Sequence, residues 1–348
     1  MRKNILLVNT GTPTAPTPSA VRTYLRQFLS DPRILTIPAP LRTLLLELII
    51  LPRRSAASAR KYAAIWTERG SPLAWHTEDL ALALAERLEH ENPGAYKVHT
   101  AMRYGLPPLL ATLKALPPSD SLLVVPLFLQ SAAATSGSIL ATVHEQLRGR
   151  WHLPALSVPA PLGTYSAVQA CLAETIVPLL SRQTGEHLLF SFHGLPEQHL
   201  RRSSTETEDS LCGHPPDCCA REEGLRSPCY RFQCLALARE LASRLELAPD
   251  RWSAAFQSRF GRGRWIGPST EERVKELATG GLRRLVVACP SFVTDCLETE
   301  HELGLELRAA FLGAGGREFV LAPCLNSQPS WVQALGEIVM RCSGVPRP

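Results

Sequence analysis

At 348 residues, 45% hydrophobic and 20% charged, the chain has the composition of an ordinary globular protein long enough for two domains. Its 37 Lys and Arg against 32 Asp and Glu leave a formal charge of +5, which suits anionic small molecules or a membrane surface and argues against a protein that coats nucleic acid. The longest apolar segment, APLRTLLLELIILP at 39–52, is interrupted by Arg42 and Glu47 and falls short of the roughly 20 apolar residues of a spanning helix.

The opening MRKNILLVNTGTP has too short an apolar run for a signal peptide and reads as a first strand, so a cytoplasmic protein is expected. Further strand-like runs follow at 96–104 (YKVHTAMRY), 121–129 (SLLVVPLFL), 187–194 (HLLFSFHG), 252–258 (WSAAFQS), 284–292 (RLVVACPSF) and 318–326 (EFVLAPCLN). Helical patterns lie between them, among them 78–90 and 231–247. This alternation predicts an α/β fold of parallel sheets with helical crossovers. The Pro-rich stretch WHLPALSVPAPLGTY places a boundary near 155, giving two doubly wound domains, 1–155 and 156–325, that face each other across a cleft. Residues 326–348 are expected to form a C-terminal helix that packs back on the body.

The loops VNTGTP, AMRYG, LQSAAATSGS, SFHGLPE, QSRFGRGRWIGPST and PSFVTDCLETEHEL each follow a strand, and in parallel sheets such loops gather at one edge, where ligands bind. In LLFSFHGLPEQH, Phe190 and Phe192 continue the strand while Gly194 and Pro196 stop it, so His193 stands at the junction. A lone His there is commonly structural, but this one has acidic company. Glu298 and Glu302, four apart, fall on one face of a helix expected to begin at Thr294 or Asp295. Like charges so placed repel, although an acidic helix start is also favoured by the helix dipole. A neutral His with nearby carboxylates can accept protons and pass them outward, with coupled pKa values. GRGRWIG at 261–267 fails the dinucleotide fingerprint, having three residues between its last two glycines; its Trp265 and arginines suit a flat, carboxylated ligand.

Five of the ten cysteines, Cys212, Cys218, Cys219, Cys229 and Cys234, fall in one insertion at about 203–234. Their spacing, C-x5-C-C-x9-C-x4-C, lacks the paired C-x2-C units of zinc ribbons and differs from the plant-type ferredoxin pattern, so a metal site is indicated without its metal. Disulfides are not expected without an export signal.

With these pieces together the sequence resembles the ferrochelatases, which insert ferrous iron into a porphyrin to make haem. The resemblance runs over VNTGTP, SDPRIL, GSPL at 70–73, AMRYG, TSGS at 135–138, SFHGLPE, SRFGRGRWIGPST, FVTDCLETEHEL and CLN at 324–326. SFHGLPE followed by W-x-G-P-x-T and D-x-x-E-T-x-x-E-L is its most specific part. It implies two similar Rossmann-like domains with a porphyrin cleft between them. By resemblance, His193 and Glu298 meet the substrate iron and face each other across the macrocycle, His193 accepting pyrrole protons and Glu298 assisting proton removal or metal delivery. Glu302 continues the acidic path, Asp295 supports His193 or Glu298, and Arg103, Tyr104 and Trp265 wall the porphyrin site. The chain departs from many relatives in placing Phe128 and Ser131 of PLFLQS at tyrosine positions, and Cys296 where some carry His.

The resemblance further implies a lyase that converts protoporphyrin IX and Fe2+ to haem b with release of two protons. Coproporphyrin III as substrate, or a tetrapyrrole or iron-sulfur binding protein without catalysis, stands as the alternative. A cobalt or nickel chelatase is disfavoured by the single SFHG histidine. The cysteine insertion resembles that of a bacterial subgroup with an internal 2Fe-2S cluster held by four of the five cysteines, Cys234 being the least diagnostic. Segment 39–52 is either an apolar lip resting on the inner membrane or a buried helix. The expected assembly is a monomer or a homodimer, with no nucleic-acid partner.

Overall fold

The computed structural model describes residues 2–181, 185–203, 219, 229–259 and 263–344. The chain divides into two compact units, one of Met1–Leu127, Ala133–Ala160 and Asn326–Pro348, the other of Phe128–Ala132 and Pro161–Leu325.

The first unit holds a parallel sheet of β1 (Lys3–Asn9), β2 (Tyr96–Met102), β3 (Ser121–Pro126) and β4 (Ala155–Ser157) in the order β2-β1-β3-β4. Ile5, Leu6, Leu7 and Val8 are inaccessible, as expected of a strand covered on both faces, which is why it reads as an unbroken apolar run. Its helices are α1 (Pro18–Leu29), α2 (Ala39–Leu45), α3 (Leu51–Ile65), α4 (Pro72–Glu91), α5 (Leu109–Ala115) and α6 (Ser138–Arg148). Thr17 starts α1 by accepting a hydrogen bond from the Ala20 N–H, with Pro18 at the first helical position, where its missing N–H costs nothing.

Helix α2 runs through a π-helical turn, Leu46–Ile50, into α3. Leu46 and Leu51 pack with Leu29, while Leu41, Leu44, Leu48 and Ile49 stand exposed. The segment is therefore not a buried helix: the i, i+3, i+7 row of leucines points to solvent. Among the described residues no helix is long and apolar enough to cross a membrane.

The second unit repeats the plan, with β5 (Glu186–His193), β6 (Trp252–Gln257), β7 (Arg284–Ala288) and β8 (Glu318–Leu321) paired in parallel in the order β6-β5-β7-β8. Around it lie α7 (Ser166–Ile176), α8 (Glu197–Ser203), α9 (Tyr230–Arg244), α10 (Thr270–Thr279), a ten-residue π-helix Glu298–Leu307 and α11 (Arg308–Gly313). The last helix, α12 (Pro329–Cys342), belongs to the first unit, where it packs on α4. Leu303 and Leu307 of the π-helix enter the core with Leu189, Val287 and Phe311, which fixes the helix against the sheet and leaves Glu298 and Glu302 half-buried. In each unit the strand order reverses beside the first strand, at β1/β3 and at β5/β7, and in open α/β sheets that crevice beyond the carboxyl ends is where ligands sit.

The opposite edge of the second sheet carries polar groups of another kind. Buried Glu186 accepts from Arg284 Nε at 2.7 Å and from the Ser181 N–H and hydroxyl, both at 2.9 Å. Neighbouring His187, also buried, places Nε2 2.8 Å from Ser253 Oγ. Burial, with Arg273 and Arg251 nearby, pushes the His187 pKa down to about 4, so the folded state holds a neutral ring. The unfolded chain takes up that proton near pH 6.5, so the stabilisation is present above that pH and is lost as pH falls toward 4; it amounts to about 3 kcal/mol at most. Urea unfolding at pH 7.5 and pH 4.5 checks this: the wild type should lose more stability across that interval than His187→Gln, and equal losses would contradict it.

Candidate active site

His193 closes β5 and is half-buried, with its N–H donating to Ser291 Oγ at 3.0 Å and its carbonyl accepting from Tyr230 Oη at 2.8 Å. Its ring Nδ1 lies 2.7 Å from the Gly194 carbonyl oxygen. A carbonyl can only accept, so Nδ1 carries the proton and Nε2 presents a lone pair. Gly194 then turns the chain close against β6: its N–H donates to the Gln257 carbonyl at 2.8 Å, and a Cβ there would lie 2.7 Å from that oxygen. Only glycine fits this approach without displacing the strand end.

The loop after Gly194 is held by backbone bonds to the WIGPST segment, from Glu197 N–H to the Arg264 carbonyl and from Ile266 N–H to the Leu195 carbonyl, each 3.0 Å. These carry half-buried Trp265 against the His193 loop, opposite Pro196. Phe292 sets its ring edge-on to the His193 imidazole with centroids 6.1 Å apart, and its backbone bridges to buried Phe128. His193, Trp265 and Phe128 thus belong to one neighbourhood.

The acidic stretch is built differently from the sequence expectation. No α-helix begins at Thr294 or Asp295; the chain crosses an irregular turn and enters the π-helix at Glu298. Thr299 makes that start, its Oγ1 accepting from the Cys296 N–H at 2.9 Å, while buried Asp295 accepts from the Cys324 N–H at 3.3 Å. The i→i+5 bonding of a π-helix widens the turn, a geometry concentrated at functional sites. Glu302 is gripped by Ser258, whose N–H donates to Oε1 and whose hydroxyl donates to Oε2, both at 2.6 Å. Burial raises the Glu302 pKa above the usual carboxylate range; the Ser258 hydroxyl and His193 pull it back, and Glu298 adds to the rise. His193 and Glu298 are therefore close enough to Glu302 to act on its charge.

Arg103 and Tyr104 follow β2 in the first unit and form a separate cluster. Asp31 accepts from Arg103 Nη2 at 2.7 Å, Tyr104 Oη at 2.8 Å and Ser138 Oγ at 2.5 Å. Burial alone would raise Asp31, yet the hydrogen bonds from Ser138, the Arg33 N–H and Tyr104, with the Arg103 charge, hold it below the usual range. Tyr104 is buried and its hydroxyl is spent on Asp31, whereas the Arg103 side chain keeps part of its surface exposed.

Of the clustered cysteines, Cys212 and Cys218 lie outside the described residues. Cys219 is buried and its Sγ accepts from Arg231 Nη1 at 3.1 Å, a donor that suits a thiolate. Cys229 is half-buried at the N-cap of α9. Cys234 is fully buried inside α9, and burial pushes its thiol up. Among the described residues no group of three or more His, Cys, Asp and Glu side chains is arranged to hold a metal ion.

Four residues central to this geometry escape sequence reading: Ser291, Tyr230, Gln257 and Ser258. Gln257 accepts from Ser191 Oγ at 2.6 Å and donates from Nε2 to the Glu298 carbonyl at 3.4 Å, tying β5, β6 and the π-helix together. The only signal for Gln257 and Ser258 is their place at the polar end of an apolar run, the same signal that singled out His193.

A family model described as Ferrochelatase matches residues 2–342. The chain is 38% identical to the ferrochelatase of Legionella pneumophila, covering 97% of this chain and 99% of that one. It is 41% identical to the ferrochelatase of Stutzerimonas stutzeri over 99% and 98% of the two chains. Among solved structures, SirB from Bacillus subtilis with Fe3+ superposes with a TM-score of 0.54 at 13% identity, covering 99% of this chain and 96% of that one, a likeness of fold.

Proposed function

The chain belongs to the ferrochelatase family, and we propose that it is a lyase that inserts ferrous iron into protoporphyrin IX, forming haem b and releasing two protons. The observation that carries the mechanism is the His193 ring, whose Nδ1–H is committed to the Gly194 carbonyl so that Nε2 is left as a base.

Iron cannot bind the four ring nitrogens until both N–H protons leave. His193 Nε2 takes the first, and the imidazolium so formed is stabilised by the carboxylates of Glu298 and Glu302. Glu298, at the head of the π-helix, receives a proton in turn. Glu302, whose raised pKa makes it a better acceptor near neutral pH than an exposed carboxylate, passes it outward. Asp295, held by the Cys324 N–H, keeps the turn that presents Glu298. Two positive charges enter with Fe2+ and two leave as protons, so the buried site returns to its starting charge and needs no counter-ion. Phe128, Phe292 and Trp265 supply the apolar and aromatic surface that a flat macrocycle requires.

The test is anaerobic incubation with ferrous iron and protoporphyrin IX, following conversion of the free-base spectrum to haem. Wild type should insert iron, and His193→Ala should lower kcat by about 100-fold or more. Porphyrin binding without insertion, by wild type and with either protoporphyrin IX or coproporphyrin III, would overturn the reading; turnover of coproporphyrin III alone would replace the named substrate.

The finer part of the proposal is a 2Fe-2S cluster on Cys212, Cys218, Cys219 and Cys229. The Arg231 donor to Cys219 supports this, while Cys234, sealed inside α9 with its thiol pushed up, fits the core better than a ligand shell. When bound by these cysteines, such a cluster would supply a one-electron redox couple. Iron and acid-labile sulfide in anaerobically purified protein should be lost in Cys229→Ser and kept in Cys234→Ser. Sulfide-free wild type, or loss in Cys234→Ser alone, contradicts the assignment.

A further inference from the structure

Three non-glycine residues among those described have φ in the left-handed region, Glu246, Asn326 and Ser258, the last at +64°. A Cβ makes that conformation costly, and glycine would adopt it freely. Strain of this kind persists where the surrounding structure requires it, which makes an observed outlier a pointer to function. At Ser258 the requirement is visible. The residue follows directly on Gln257, the last residue of β6, and the left-handed turn there aims its N–H and its hydroxyl at the same carboxylate.

We propose that Ser258 is a positioning residue for Glu302: its backbone N–H fixes Oε1 and its hydroxyl fixes Oε2, so the carboxylate holds one orientation throughout turnover. The two donors are not equivalent. The N–H can only donate, so Oε1 stays an acceptor. The hydroxyl can rotate and accept, so Oε2 is the oxygen able to gain and lose a proton without breaking the pair. Glycine at this position would relieve the backbone and forfeit the hydroxyl, so retaining serine here trades stability for the grip on Glu302. The inference rests on the reading of Glu302 as a proton carrier.

The test separates hydroxyl from backbone. Ser258→Gly should raise Tm or leave it unchanged, and Ser258→Thr, a β-branched residue at positive φ, should lower it. Activity should follow the other order: Ser258→Thr keeps kcat within about threefold of wild type, while Ser258→Ala and Ser258→Gly lose about tenfold or more with KM little changed. A double-mutant cycle of Ser258→Ala with Glu302→Gln in urea unfolding reads the grip without any turnover and should show coupling. Absence of coupling overturns the proposal, as does full kcat in Ser258→Ala and Ser258→Gly, or activity that tracks Tm across the series. Should the wild type insert no iron while the coupling is present, the ferrochelatase reading fails and the Ser258–Glu302 grip stands.

Discussion

A parallel strand covered on both faces admits a polar side chain only where a partner satisfies it, and this constraint organises the second unit. Strand β5 is apolar along its middle except for Ser191, whose hydroxyl donates to Gln257, and polar at both ends, and the two ends do different work. At its start, Glu186 and His187 are satisfied by Arg284, Ser181 and Ser253, and their chemistry is spent on holding the sheet edge. At its end, His193 commits one ring nitrogen to its own loop and leaves the other free. The same division follows for β6, which closes on Gln257 and Ser258, and for β7, whose loop delivers Asp295 and Glu298.

The site is thus three strand ends held in register by the sheet itself. His193 pairs with Gln257 across the β5–β6 ladder, Gly194 donates to the Gln257 carbonyl, and Gln257 donates to the Glu298 carbonyl. Movement of any one strand end displaces the base, the turn or the acid together. A reaction that extracts two protons from a rigid ring gains from this, because base and acceptor must keep their spacing while charge moves between them.

Much of this was legible in the residues. The apolar runs ending in His193, Ser258 and PSFVTD located the strands and their loops, because burial on both faces leaves an unambiguous signature. Strand β4 carries no such signature: Ala155–Ser157 is only three residues long and sits within the proline-rich stretch. The sequence of the π-helix reads as an α-helix, since Glu298 and Glu302 fit an α-helical face equally well and the widened turn depends on the Thr299 bonds and on core packing of Leu303 and Leu307. Tyr104 shows a different limit. Its place in AMRYG marked it as a wall residue, but whether a tyrosine hydroxyl faces a ligand or a buried aspartate depends on Asp31, more than seventy residues earlier. The role of Ser258 was hidden for a similar reason, because a positive φ is a property of the backbone that a serine does not advertise.

Proton removal at this site depends on which imidazole nitrogen of His193 carries the proton. If Nδ1 is spent on the Gly194 carbonyl, Nε2 is a base; if the tautomer is reversed, the residue is a donor and cannot take a pyrrole proton. The most direct measurement is the 15N chemical shifts of the His193 ring, assigned by comparison with His193→Gln and recorded above the imidazole pKa. A protonated Nδ1 with an unprotonated Nε2 is predicted. A protonated Nε2 with a bare Nδ1 would contradict it.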